Sequence, residues 1–196
     1  YGLGSNDAGG CLVSLIATFL HFYAQKNLRY NLCLAATAEE EISGPNGIES
    51  ILPKLGKLEF AIVGEPTLMD LAIAERGLLV LDCTAQGRAG HAAREEGDNA
   101  IYRALADIEW FRTYQFPKQS ALFGPIKMNV TIIQAGSQHN VIPATCKFTV
   151  DIRITDAYQI DEILETIRQH VISEIQPRST RLKPSSISQN HPIVQA

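Results

Sequence analysis

Cys33 to Gly47 reads CLAATAEEEISGPNG, an apolar run that ends in three consecutive carboxylates, Glu39, Glu40 and Glu41. Two more acids stand in comparable places. Asp7 lies in a glycine-rich loop, GLGSNDAGG, just ahead of an apolar segment, and Glu65 follows the run LEFAIVG. If the two apolar runs are buried strands, these carboxylates fall beyond the strands' carboxyl ends, where open α/β sheets gather their chemistry. Like charges crowded at one sheet edge cost several kcal/mol unless something compensates them. No arginine adjoins these motifs, so a divalent metal is the favoured counter-charge. A carboxylate can bridge two such ions, and one held off the metal can take a proton from bound water. Each acid alone has a plainer reading: Asp7 a helix N-cap, Glu39 to Glu41 a solvated loop, Glu65 a turn residue before Pro66. Their joint placement carries the metal hypothesis. Sequence alone names no metal, since zinc also wants imidazole or thiolate and no histidine lies inside these motifs.

The elements that must position these groups can be read from periodicity. Leu12, Leu15, Ile16, Phe19, Leu20 and Tyr23 recur at helical spacing. RYNLCLAATA and LEFAIVGEP read as strands covered on both faces, and NGIESILPKLG between them as a short helix broken near Pro53. Helix, strand, helix, strand implies a parallel sheet with helices on its faces. A second pattern follows. RGLLVLDCTAQG is a strand, and the stretch from Glu95 to Tyr114 is an amphipathic helix. PIKMNVTIIQAG and ATCKFTVDIRI are strands joined by a polar loop. DAYQIDEILETIRQHVISEIQ is the clearest helix, with an apolar face of Ile160, Ile163, Leu164, Ile167, Val171 and Ile175 and a capping box from Asp156 to Gln159. RLKPSS closes the set as a last strand. The order β-α-β-β-α-β is the split βαβ, or ferredoxin-like, pattern. The expected organisation is residues 1–76 as part of one α/β domain, 77–183 as an inserted α+β domain, and 184–196 as the return to the first.

The chain has 196 residues, 45% of them hydrophobic, and a formal charge of −4. It lacks the clustered basic surface of a nucleic-acid binder, and no apolar run reaches the roughly 20 residues that span a bilayer. Tyr1 opens neither a signal peptide nor a natural start, which points to a fragment. Cys11, Cys33, Cys83 and Cys146 are far apart and flanked by apolar residues, as buried reduced thiols in a cytoplasmic protein would be. The glycine loop lacks the Lys-Ser/Thr of a phosphate-binding loop, and there is no G-x-S-x-G nucleophile elbow. His21 and His170 read as structural helix residues, His191 as a turn residue, and His139 adjoins Asn140.

Taken in order, SNDAGG, TAEEEIS and VGEPT, followed by GRAGHAA and HNVIPA…DIR, resemble the M20 family of metallopeptidases and deacylases. The nearest likeness is to its acetylornithine deacetylase and succinyl-diaminopimelate desuccinylase branch, and it covers essentially the whole chain. The resemblance implies a zinc-peptidase-like mixed sheet with helices on both faces, carrying an inserted ferredoxin-like lid that dimerises. It implies two zinc ions per subunit, with cobalt the alternative: Asp7 bridging them, Glu41 on one, Glu65 on the other, and Glu40 as general base. His91 would stabilise the oxyanion in the partner subunit's site, while Asn140 and Arg153 would hold the substrate. The implied reaction is hydrolysis of an N-acyl amino acid of the N-acetyl- or N-succinyl-ornithine type, in arginine biosynthesis. A related dipeptidase, aminoacylase or desuccinylase shares the same residues, and a non-catalytic dimerisation module is the alternative of another kind. The family's first and last metal-binding histidines would lie outside residues 1–196, so the chain as given is expected to hold an incomplete metal site and to be inactive alone.

Overall fold

The computed structural model describes residues 2–94 and 96–196, which form two compact units, one reaching to Leu71 and the other running from Ala72 to Ala196. In the first unit a tight turn over Ser5–Gly10 leads into α1 (Cys11–Tyr23). The second helix, α2 (Ile48–Leu55), runs through Pro53 rather than breaking there, and ends at Gly56, which adopts φ +69°. Only Lys54 and Leu55 follow the proline, and Gly56 then takes a positive φ that glycine adopts without strain. The two stretches expected as strands carry no ladder among the described residues. They nonetheless run close together: the Tyr30 and Phe60 rings meet edge-on with centroids 5.3 Å apart. A strand is held by its neighbours' backbone groups, and with no partner paired to them these apolar runs stay irregular. Leu32, Leu58, Ile62 and Val63 are accordingly exposed.

The second unit opens with β1 (Ala74–Glu75), β2 (Gly77–Gln86) and β3 (Gly90–His91), then α3 (Ala100–Thr113). Next come β4 (Lys127–Ala135), β5 (Val141–Ile142), β6 (Thr145–Ile154), α4 (Ile160–His170) and β7 (Glu174–Pro177), and finally β8 (Ser185–Ser186) and α5 (Pro192–Gln195). The main sheet has the antiparallel order β4-β6-β2-β7, which is the ferredoxin-like arrangement. Alternation of apolar residues along β2 and β6 builds it. Leu79, Leu81, Cys83 and Ala85 share one buried face with Cys146, Phe148, Val150, Ile152 and Ile154. Onto that face α3 contributes Ala100, Ala104 and Phe111, and α4 contributes Ile160, Ile163, Leu164 and Ile167. Each large aliphatic side chain so buried stabilises the fold by about 1.5–3 kcal/mol. Residues 184–196 belong to this unit, where β8 pairs antiparallel with β1 in a separate two-stranded ribbon.

Four details differ from the sequence reading, each for a local reason. The α3 helix begins at Ala100, capped by the Asn99 side chain, which accepts the Ile101 N–H; Glu95, where the helical stretch was expected to begin, lies outside the described residues. The capping box of α4 is Gln159 with Glu162 rather than Asp156 with Gln159. The helix stops at His170, and the fourth strand is β7, not RLKPSS. Pro177 cannot sit inside a helix, and the buried Asp107 carboxylate captures the N–H groups of Ile172 and Ser173 and the Ser173 hydroxyl. Of the cysteines, Cys83 and Cys146 are buried, and burial pushes the Cys83 thiol up to about 12, whereas Cys33 is exposed and Cys11 half-buried.

On the helix-free face, Asp82 ties three strands. The Arg178 guanidinium at the end of β7 makes two 2.8 Å bonds to it, and the Thr149 hydroxyl on β6 a third at 3.0 Å. The Arg178 hydrogen bonds hold the Asp82 carboxyl below its ordinary value. Asp107 is the costlier residue to lose, because it is 3% exposed. Asp107→Ala strands three donors, and each buried unsatisfied group costs about 1–3 kcal/mol. The variant should lose about 2–4 kcal/mol in chemical denaturation, whereas Asp82→Ala should lose less than about 1 kcal/mol.

Candidate functional site

His91 and Asn140 come from segments 49 residues apart and are joined by the backbone. β3 pairs with β5, setting His91 opposite Val141, and the Ala92 N–H donates to the Asn140 carbonyl at 2.9 Å. Both side chains are exposed. The Ala93 N–H donates to His91 Nδ1 at 3.2 Å. In the neutral ring the proton therefore sits on Nε2, which faces outward as a donor. Glycines let a third segment, residues 96–100, pack against the strand that carries His91. A Cβ on Gly87 would lie 2.2 Å from the Asp98 carbonyl oxygen, and one on Gly90 would lie 2.8 Å from the Gly97 backbone. An open hollow of about 500 Å³ adjoins the pair, lined by Ala92, Asn99, Ser137, Gln138 and His139 among others.

Arg153 is not part of this group. It sits opposite Leu78 near the far end of β6, eight residues beyond Thr145, and so about 26 Å along the strand from the end next to β5. Its guanidinium makes bonds of 2.9 and 3.1 Å to Asp151 on the same exposed face.

The acidic segments lie in the first unit. The three consecutive glutamates are not equivalent: Glu39 is half-buried and bound to Asn46, while Glu40 and Glu41 are exposed in the turn that follows. The sequence reading passes over Asn46; its signal is an asparagine in the turn GPNG, seven residues after the first glutamate. Asp7 is exposed, and it does not cap α1, whose N-cap is Gly10 without a side-chain bond. A Cβ on Gly64 would lie 3.0 Å from Cys11 Cβ and Leu15 Cδ1, so Glu65 follows a residue packed on the first turns of α1 and shares that end of the helix with Asp7. Carboxylates suit a divalent cation chemically. Among the described residues, however, no three His, Cys, Asp or Glu side chains converge as a metal cradle. Asp7, Glu41 and Glu65 in this arrangement therefore do not fit a bound metal.

The split βαβ sheet of the second unit, with an exposed His–Asn pair at one end, is a ferredoxin-like α+β domain. Residues 73–178 match the M20 peptidase dimerisation domain, and the chain belongs to the M20 family. It is 29% identical over 181 residues to succinyl-diaminopimelate desuccinylase 2 of Ruegeria sp. (strain TM1040), covering 87% of this chain and 46% of that protein. It is 30% identical over 184 residues to acetylornithine deacetylase of Myxococcus xanthus, covering 89% and 48%. The chain thus spans about half the length of the curated relatives it matches. Among solved structures, a tripeptidase from Staphylococcus aureus subsp. aureus mu50 shares the fold with a TM-score of 0.58 and 18% identity, over 81% of this chain and 44% of that one.

Bare backbone at Gly90 lets β3, which carries His91, pack closely against Gly97. Gly90→Ala should abolish hydrogen-exchange protection of the Ala92 amide and cost about 1–3 kcal/mol, as overpacking does elsewhere. Unchanged protection at Ala92 would show that the two segments tolerate separation.

Proposed function

We propose that the whole protein is a metal-dependent amidohydrolase that removes the acyl group from an N-acyl amino acid, of the N-acetyl- or N-succinyl-ornithine type, in arginine biosynthesis. The observation that carries this reading is the bridged His91–Asn140 pair within the M20 dimerisation domain. Glu40, exposed and next to the bound Glu39, takes the proton from the attacking water and passes it to the leaving amine. His91 donates from Nε2 to the oxyanion that develops on the acyl carbonyl. Asn140, alongside, offers an amide to the same substrate. Zinc, with cobalt as the alternative, is the metal of this reading, and Asp7, Glu41 and Glu65 are the carboxylates this chain offers it. A site formed from them requires a rearrangement of the acidic segments or donors beyond them.

Dimerisation completes the scheme. The sheet has two edges of opposite character. β7 is four residues long and carries Glu174 and Pro177, features that discourage edge-to-edge pairing. β4 is nine residues long, exposes Ile132 (47%) and Ile133 (51%), and lies beside α3, which exposes Tyr102 (72%) and Leu105 (49%). We assign the homodimer contact to β4 and α3. In a dimer, His91 at one end of the sheet serves the partner's site while Arg153, at the other end, serves its own; their separation along β6 favours such a division over joint action on one substrate. A dipeptidase, aminoacylase or succinyl-diaminopimelate desuccinylase would use the same groups. A purely dimerising, non-catalytic module is favoured by one feature, the complete core of the second unit beside carboxylates that do not converge.

Amine release by the full-length protein from acetylated and succinylated ornithine, citrulline and diaminopimelate separates these readings. Glu40→Ala should lower kcat at least about 10²-fold, the lower range of general-base contributions, while leaving bound metal unchanged. No release from any of these substrates by a folded dimer would favour the module. Separately, Ile132→Asp should convert the dimer to a folded monomer in light scattering; a dimer that persists would exclude the β4 edge as the contact.

A further inference from the structure

We propose that Glu39 is a positioning residue: its carboxylate, clasped by Asn46, sets the loop that presents Glu40 and Glu41. The proposal rests on the roles assigned above to those two residues. The Asn46 N–H donates to Glu39 Oε2 and the Asn46 Nδ2 amide donates to Oε1, both at 3.0 Å. Each carboxylate oxygen thus has a partner from the same residue seven positions on. The backbone closes the same loop, with the Gly44 N–H donating to the Glu39 carbonyl at 2.9 Å and the Ser43 N–H to the Glu40 carbonyl at 2.8 Å. The Ser50 hydroxyl fastens the far end to α2 by donating to the carbonyls of Asn46 and Gly47.

Two further features indicate a built arrangement rather than a chance contact. Glu39 has φ +63°, a conformation that is strained for a non-glycine residue and persists where the surroundings over-determine it. The space is also made for it: a Cβ on Gly44 would lie 2.1 Å from Glu39 Oε2 and 2.8 Å from its Cβ, and one on Gly47 would lie 2.6 Å from the Ala38 carbonyl oxygen. Three identical side chains in a row are therefore divided by geometry. The first is spent inside the loop, and the next two stand outside it, in the turn it fixes.

Glutamine supplies the test, because it keeps the clasp and loses the charge. In Glu39→Gln the side-chain oxygen still accepts the Asn46 N–H, and its amide donates to Asn46 Oδ1 once the asparagine amide turns over. In the full-length protein, Glu39→Gln should keep kcat within about 3-fold of the unaltered enzyme. Glu39→Ala should lower kcat by about 10- to 100-fold with KM little changed, as small misplacements of reacting groups do. Hydrogen exchange at the Gly44 and Asn46 amides should rise in Glu39→Ala and not in Glu39→Gln. Asn46→Ala, which removes one of the two bonds, gives an intermediate result and serves if Glu39→Ala does not fold. Glu39→Gln as inactive as Glu39→Ala, with the loop amides still protected, would overturn the proposal by placing Glu39 in the chemistry itself. So would full activity and full protection in Glu39→Ala. If the unaltered protein hydrolyses no acyl amino acid, the functional reading fails, and the exchange comparison still decides the role of Glu39.

Discussion

The ladder between β2 and β6 sets the geometry of the second unit. It runs without a slip from Gly77 opposite Ile154 to Gln86 opposite Thr145. Because strand side chains alternate, that one register sends nine apolar residues into the core and leaves Asp82, Thr149, Asp151 and Arg153 on the other face. A slip of one residue would exchange the two sets. The same register decides where the candidate chemistry lies. The loop after β2 and the loop before β6 leave the sheet at one end, so His91 and Asn140 meet there, whereas Arg153 is carried to the other.

Legibility in the sequence follows from the range of the interactions. The strands at 77–86 and 145–154 have a clear pattern of burial, and α4 has an unbroken apolar face. Both are local signals, and the ferredoxin-like order could be read from them. What misled at 171–177 was a distant residue. Val171 and Ile175 continue the helical spacing, but Asp107, on another helix, takes the next amides and turns the chain into a strand. No window around residue 172 contains that information. The apolar runs at 29–38 and 58–66 teach the converse: composition marks a segment as fit for a sheet, but hydrogen bonds with neighbouring strands make it one.

The candidate site was legible as a set of residues and much less as an arrangement. Motif order pointed to His91 and Asn140, and the backbone pairing that joins their segments has no sign in the local sequence of either. The acidic triplet was visible as an excess of like charge. Its resolution was hidden, because an asparagine in a turn gives no sequence-level sign that it will bind a carboxylate seven residues back. The repulsion that three adjacent glutamates would suffer is relieved in part by turning one of them inward onto amide donors, so the triplet alone does not demand a cation.

The short pairing of β1 with β8 has a consequence for how such a unit can be moved between proteins. Ala74 and Ser186 are direct cross-strand neighbours, which places their Cα atoms about 5 Å apart. A linker of a few residues could therefore bridge the gap and delete everything between them without stretching the remaining chain. Conversely, any protein with a surface turn of that width could receive the whole segment as a graft. A module delivered through so narrow a doorway can be gained, lost or exchanged as a single piece.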